Sequence, residues 1–193
     1  RHVLNQCMRA MTDRGWLPLL EGFYERLVEQ GDSFEALEAA VADLVYRRLL
    51  VLTPDGQRIA SLLGAISIGR TPHRVALDNG VELFMTGGME LLGAAALLNQ
   101  PLSVMTRCPA CDAAISFEAS PGQIIAVQPA GIAGYQAHWD GAEPLEASAV
   151  RSRLFCSDPC LAQSDIDEDV GLPLSSALLL AVGSSNAQRL GVS

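Results

Sequence analysis

Apolar residues in the first third of the chain recur every three or four positions, the spacing of one face of a helix. The first set ends at Gly31, and Ser33 follows as an N-cap for the second set. Two apolar runs then flank Pro54-Asp55-Gly56, which predicts a short β-hairpin. Helices followed by a hairpin predict a winged-helix-like helical domain over residues 1–68. The apolar positions are Leu17, Leu20, Tyr24, Leu27 and Val28, then Leu37, Ala40, Val41, Leu44 and Val45.

After residue 69 the pattern changes to short, strand-like segments. Asn79-Gly80 lies between two of them, and an Asn-Gly pair is among the strongest hairpin signals. A helix rich in small residues is predicted from Gly88 to about Asn99, before Pro101. Further strands are predicted at residues 102–106, 115–119, 124–127 and 151–155, and an apolar tail at residues 174–182. Because hairpins dominate, we expect an α+β domain with a mostly antiparallel sheet over residues 69–193.

Composition and charge narrow the classes of function. The formal net charge of −9 and the pI near 4.7 disfavour nonspecific nucleic-acid binding, which needs a basic face. Glu35 and Glu38 lie on the second predicted helix, and their negative charge favours a structural role for the winged-helix-like region over DNA binding. No apolar run is long enough to cross a bilayer, and the N-terminus lacks a signal-peptide pattern, so we expect a cytoplasmic protein. The sequence leaves the oligomeric state open, with a homodimer among the alternatives.

Four of the five cysteines form two close pairs, Cys108 with Cys111 and Cys156 with Cys160. A Cys-x2-Cys turn lets two thiolates approach one ion, and a second pair completes a tetrahedral shell. Soft thiolates select zinc, copper(I), mercury or iron–sulfur clusters over magnesium or calcium. Two disulfides or unrelated thiols are the alternatives. We predict one structural zinc site with these four ligands, coupling the two ends of the C-terminal sheet.

A second signal comes from the segment Ser120-Pro121-Gly122-Gln123-Ile124-Ile125-Ala126-Val127-Gln128-Pro129-Ala130-Gly131-Ile132. It resembles a Ser-Pro-x-x-Ile-x-x-Val-x-Pro-Ala-Gly-hydrophobic segment of the organomercurial (alkylmercury) lyases. Cys108 matches a structural cysteine of that family, and Phe155-Cys156 matches the pair that carries its second catalytic cysteine. The resemblance covers about half of the chain and implies an alkylmercury-lyase-like α+β domain.

In that family two thiolates grip the mercury of a carbon–mercury bond, and an acid protonates the leaving carbon. The resemblance places the first cysteine at Gly87, the acid at Glu90 and the second cysteine at Cys156. A glycine has no side chain to act as a ligand. Binding of mercury by two thiolates is therefore lost unless Cys7 or Cys160 substitutes for the missing cysteine.

Two residues are candidates for catalysis. Glu90 is a candidate general acid, and the alternative is a helix N-terminal acid with Gly87 as the N-cap. His138, with Tyr135 and Trp139 nearby, is a candidate pocket residue, and the alternative is a partly buried surface histidine.

These observations lead to three hypotheses of function. The first is a zinc-binding enzyme of altered lyase or proton-transfer chemistry on a small non-mercurial substrate. The second is a non-catalytic protein that binds or senses soft metals. The third is an organomercurial lyase that uses Cys156 and Glu90, and the glycine at position 87 disfavours it.

Overall fold

The computed structural model describes residues 1–139, 141–166 and 171–174. Within these ranges the chain forms six helices and eleven strands. The helices are α1 (His2–Arg14), α2 (Leu20–Glu29), α3 (Phe34–Tyr46), α4 (Glu90–Leu98), α5 (Leu145–Arg151) and α6 (Asp158–Ala162). The strands are β1 (Leu50–Leu52), β2 (Ile59–Leu62), β3 (Ile66–Ser67), β4 (Arg74–Leu77), β5 (Glu82–Met85), β6 (Leu102–Arg107), β7 (Ala114–Ser120), β8 (Gln123–Gln128), β9 (Ala133–Ala137), β10 (Arg153–Phe155) and β11 (Gly171–Leu174).

The strands form two sheets. The larger sheet has eight strands in the order β1-β2-β3-β5-β4-β6-β7-β8, and the smaller has three in the order β10-β9-β11. Every pairing among the described strands is antiparallel. The predicted α+β class with a mostly antiparallel sheet is therefore confirmed, and the smaller, separate sheet was not predicted.

The N-terminal helices form where the apolar pattern places them. Ser33 caps α3, because its Oγ accepts a hydrogen bond from the backbone N–H of Ala36 at 3.3 Å. The predicted hairpin is β1–β2, which β3 joins to β5 in the larger sheet. The predicted domain boundary at residue 68 thus falls between two strands of one sheet. The winged-helix assignment and the two-domain division stay predictions.

The centre of the larger sheet is built by the β4–β5 hairpin around Asn79-Gly80, as predicted. Val75 and Leu83 pair across this hairpin, and both are completely buried. Helix α4 packs against β4 and β7. It begins at Glu90, so Glu90 is an acid in the first turn as the alternative interpretation had it, but the N-cap is Met89 and not Gly87.

The smaller sheet and α5 attach to the larger sheet near the β2–β3 turn. Strand β9 lies at the centre of the smaller sheet, with Leu154 of β10 opposite Gly134. Helix α5 connects β9 to β10, and the Ser61 hydroxyl of β2 donates to Glu146 Oε2 of α5 at 2.8 Å. This hydrogen bond fixes α5 beside the larger sheet.

Two expectations from the sequence concern the apolar tail at residues 174–182 and the lack of a membrane-spanning segment. Leu174 ends β11, and the remainder of the predicted apolar tail lies outside the described residues. Among the described helices, none combines the length and the apolar character that a membrane crossing requires.

Candidate metal centre

The first cysteine pair lies in the tight turn between β6 and β7. The N–H of Cys108 donates to Ala113 O, and the N–H of Asp112 donates to Cys108 O, both at 2.9 Å. Asp112 has a left-handed φ of 60°, which the sharp turn requires. Arg107 Nη1 donates to both the backbone O and Oδ2 of Asp112, each at 2.9 Å. The turn that carries Cys111 is therefore held by the chain's own hydrogen bonds.

The second pair lies where β10 runs into α6. Phe155 is completely buried at the end of β10, and Cys156 follows it directly. Ser157 is the N-cap of α6, and its Oγ accepts a hydrogen bond from the N–H of Cys160 at 3.3 Å. This cap places Cys160 in the first turn of α6, on the side of Cys156.

The structure brings the four predicted ligands together, with their sulfur atoms all within 4.8 Å of one another. The Sγ–Sγ distances are 3.5 Å from Cys111 to Cys156, 3.4 Å from Cys156 to Cys160 and 3.7 Å from Cys160 to Cys111. A disulfide has an S–S distance of about 2.05 Å, so these are separate thiols. The group can hold a metal ion. It joins the larger sheet to the smaller one, whereas we expected it to couple the two ends of one sheet.

The pKa values of Cys108 and Cys156 are shifted in opposite directions. Burial acts to raise the pKa of Cys108, but N–H groups of Cys156, Ala110 and Cys111 outweigh it and lower this pKa to about 7. Burial, followed by hydrogen bonds with the other three thiols, raises the pKa of Cys156 to about 12. A cation that binds all four as thiolates must therefore displace protons.

Cys7 does not belong to this group. It lies on α1 with none of its surface exposed, and burial raises its pKa to about 12. Cys160, not Cys7, is the thiol beside Cys156. Cys7 is thus a buried apolar residue of the core, as such cysteines commonly are.

A cleft of about 630 Å³ adjoins the four-cysteine group. Cys108 and Cys111 contribute to its wall together with His73, Arg107 and Arg153. His73 Nδ1 lies 2.8 Å from Thr106 Oγ1, and burial lowers the pKa of this histidine. His73 lies just before β4, and the residues that share this cleft with it are distant along the chain, so the sequence pattern does not single it out.

Glu90 starts α4 with its carboxyl group turned into the protein. Its Oε2 is shielded from solvent and has no hydrogen-bond partner among the described residues. Desolvation by burial raises the pKa of this carboxyl to about 8. The side chain is therefore mostly protonated at neutral pH and is able to donate a proton.

Position 87 has no room for any side chain larger than that of glycine. A Cβ there would lie 1.8 Å from the backbone O of Ala149 and 2.6 Å from Glu90 Oε2. The next residue, Gly88, donates its N–H to Ser152 O at 3.1 Å, so the whole turn is pressed against the end of α5. The backbone of α5 thus occupies the volume that any side chain at position 87 would need.

His138 follows β9 and is exposed, whereas Tyr135 on β9 is buried. Trp139 is also exposed, and its Nε1 donates to the backbone O of Glu143 at 2.9 Å. The catalytic role of His138 stays a prediction.

Comparison with known proteins relates both the sequence and the fold of the chain to one family of proteins. Residues 66–158, a little under half of the chain, match the family model MerB, alkylmercury lyase. This part of the chain is therefore MerB-like in sequence. No curated protein matches it. Ten chains of solved structures match, among them the crystal structure of the mercury-bound form of MerB2.

The match to MerB2 has a TM-score of 0.73 and 17% sequence identity, and it covers 97% of this chain and 88% of the MerB2 chain. At this identity the likeness establishes the MerB fold and no more. The family model spans Gly87, Glu90, Cys108, Cys111 and Cys156 of the MerB-like chain, and Cys160 lies just beyond it.

Replacing Gly87 by alanine should destabilise the MerB-like chain by about 1–3 kcal/mol or more, because the new Cβ overlaps the Ala149 carbonyl group. Gly93→Ala is the matched control: Gly93 lies in α4 with nothing within 4 Å of its added Cβ, so this change should be neutral or stabilise by up to about 1 kcal/mol. Urea unfolding measures both. Equal stability of the two variants would show that α5 does not fill position 87.

The raised pKa of Glu90 predicts a dependence of stability on pH. The folded chain holds this proton more tightly than the unfolded chain, since the pKa rises from 4.5 to about 8. The stabilisation is therefore complete below about pH 4.5 and is lost as the pH rises through about 8. Between these values the free energy of unfolding of the wild type should fall relative to Glu90→Gln. Parallel pH profiles in urea unfolding would contradict the burial of Glu90.

Proposed function

We propose that the chain is a metal-binding protein of the MerB fold, with zinc bound by the thiolates of Cys108, Cys111, Cys156 and Cys160. The sulfur geometry carries this proposal. Four sulfurs at the usual zinc distance of about 2.3 Å form a tetrahedron with edges of about 3.8 Å. The distances among Cys111, Cys156 and Cys160 are 3.4–3.7 Å, close to that edge.

Zinc suits this set better than other soft metals. A tetrahedral shell of four thiolates is typical of zinc or iron–sulfur sites. A cluster of several iron and sulfide atoms needs room between its ligands, and sulfur atoms within 4.8 Å of one another leave room for a single ion. Four protein ligands leave no open position on zinc, which is the usual arrangement of a structural site.

The same geometry argues against cleavage of carbon–mercury bonds in the manner that the resemblance implies. The resemblance assigns one of the two thiols to position 87, where the Ala149 carbonyl group leaves no space. Cys160 lies beside Cys156, but as part of the four-cysteine group. In our proposal Cys156 is bound to zinc together with Cys111 and Cys160.

The helical region, residues 1–68, acts as a scaffold in this proposal, in a winged-helix-like arrangement. Glu35, Glu38 and Asp43 are exposed on α3 and would repel a phosphate backbone.

Elemental analysis of protein purified with a reductant should find about one zinc per chain, the number that one such site binds. Cys111→Ser and Cys156→Ser should lose most of it, because each removes a soft ligand. Cys7→Ala is the matched control and should keep the zinc, since Cys7 is buried on α1 outside the group. Metal-free protein with two disulfides would refute the proposal, and so would equal zinc loss in the Cys7 variant.

A second candidate function is an enzyme of altered proton-transfer chemistry on a small non-mercurial substrate. The buried, unpartnered Oε2 of Glu90 favours it, because a carboxyl group with a pKa of about 8 is suited to general acid–base catalysis near neutral pH. Glu90 acts as the proton donor in this proposal, and the exposed His138, which follows β9, is the second candidate residue.

Methylmercury turnover with excess thiol separates this candidate from an organomercurial lyase. We expect the wild type to release no more product than Cys156→Ser, because Cys156 is held in the zinc shell. Turnover that requires both Cys156 and Glu90 would instead establish the lyase. For a substrate of the altered chemistry, Glu90→Gln should lower kcat by about 10²–10⁴-fold at unchanged zinc content. Full activity of that variant would remove Glu90 from the mechanism.

A further inference from the structure

A polar groove of about 300 Å³ runs between α1 and α2, away from the four-cysteine group. Arg9, Asp13 and Arg14 of α1 and Arg26 of α2 line it. Arg9 and Asp13 are four residues apart on α1, as are Ala10 and Arg14, so each pair lies on neighbouring turns of this helix. Buried side chains of α2, including Phe23, contribute apolar contacts beneath these charges.

The charge of this groove is opposite to that of the whole protein. Three arginines and one aspartate line it, whereas the chain has a formal net charge of −9. Asp13 offsets little of this charge: it lies 3.7 Å from Arg9 Nε, and the two side chains are 60% and 78% exposed. Arg14 and Arg26 form no ion pair with any residue in the described part of the chain.

The positive charges of the groove belong to arginine side chains, and this indicates which class of anion the groove fits. The chain has no lysine, so the thirteen side chains counted together as lysine and arginine are all arginines. A guanidinium group presents a planar fork of donors that matches the oxygens of a phosphate group. A phosphate ester carries about −1.5 to −2 charges at neutral pH, which suits several cations better than a single carboxylate does.

We propose that this groove binds the phosphate group of a small anionic ligand, held by Arg14 and Arg26 with Arg9 at the edge. A free phosphate ester fits better than a nucleic acid, because the neighbouring helix α3 exposes Glu35 and Glu38. The site is independent of the cysteines and of the function proposed for them.

The test is a calorimetric titration of the zinc-loaded full chain with inorganic phosphate at constant ionic strength. We expect saturable binding that weakens roughly tenfold in Arg14→Gln and in Arg26→Gln, since each loses a charge-assisted hydrogen bond. Arg58→Gln is the matched control, because Arg58 is exposed just before β2 and outside the groove. This variant should bind phosphate as the wild type does.

A competing role for Arg14 and Arg26 is to stabilise the C-terminal ends of α1 and α2, where both lie in the last turn. That role predicts a lower melting temperature with unchanged phosphate affinity, and this result would overturn the proposal. Absence of saturable phosphate binding would also overturn it, as would arginine-dependent binding of a short DNA duplex without binding of free phosphate. Zinc content should be the same in all variants.

Discussion

The constraint on which the structure depends is the convergence of four sulfur atoms from two distant turns. One turn ends β6 of the larger sheet, and the other follows β10 of the smaller sheet. Burial, followed by hydrogen bonds with the other thiols, raises the pKa of Cys156, so this thiol holds its proton when no cation is bound. A divalent cation that binds the sulfur atoms as thiolates displaces such protons. Metal binding and the docking of the two sheets are therefore coupled in this account.

The close packing of α5 on the Gly87-Gly88 turn is the second determinant of the site. With no side chain at position 87, the carbonyl group of Ala149 approaches the turn, and the Glu90 carboxyl group is enclosed beside it. The family resemblance places a thiol here, and this chain has its thiols at Cys111 and Cys160 instead. Position 87 contributes no thiol, and the thiols that lie beside Cys156 in the described part of the chain are those of the four-cysteine group.

Local signals in the sequence predicted the features that depend on a few neighbouring residues. Examples are the Ser33 cap and the hairpins at residues 54–56 and 79–80. The grouping of cysteines that are close in the sequence, Cys108 with Cys111 and Cys156 with Cys160, is another. The smaller sheet was missed because β9 pairs with strands that lie far along the chain, as Gly134 does with Leu154. The reason for glycine at position 87 was equally hidden, since Ala149 reaches it only in the folded chain. Glu90 was found through family resemblance, and its burial only through the structure.

X-ray absorption at the zinc edge tests the four-thiolate centre most directly, because it reports the atoms bound to the metal. The account predicts four sulfur ligands at about 2.3 Å and no nitrogen or oxygen ligand. The spectrum should be unchanged in Cys7→Ala and should lose one sulfur in any Cys111→Ser protein that retains zinc. A shell with a water or histidine ligand in the wild type would contradict the closed centre proposed here.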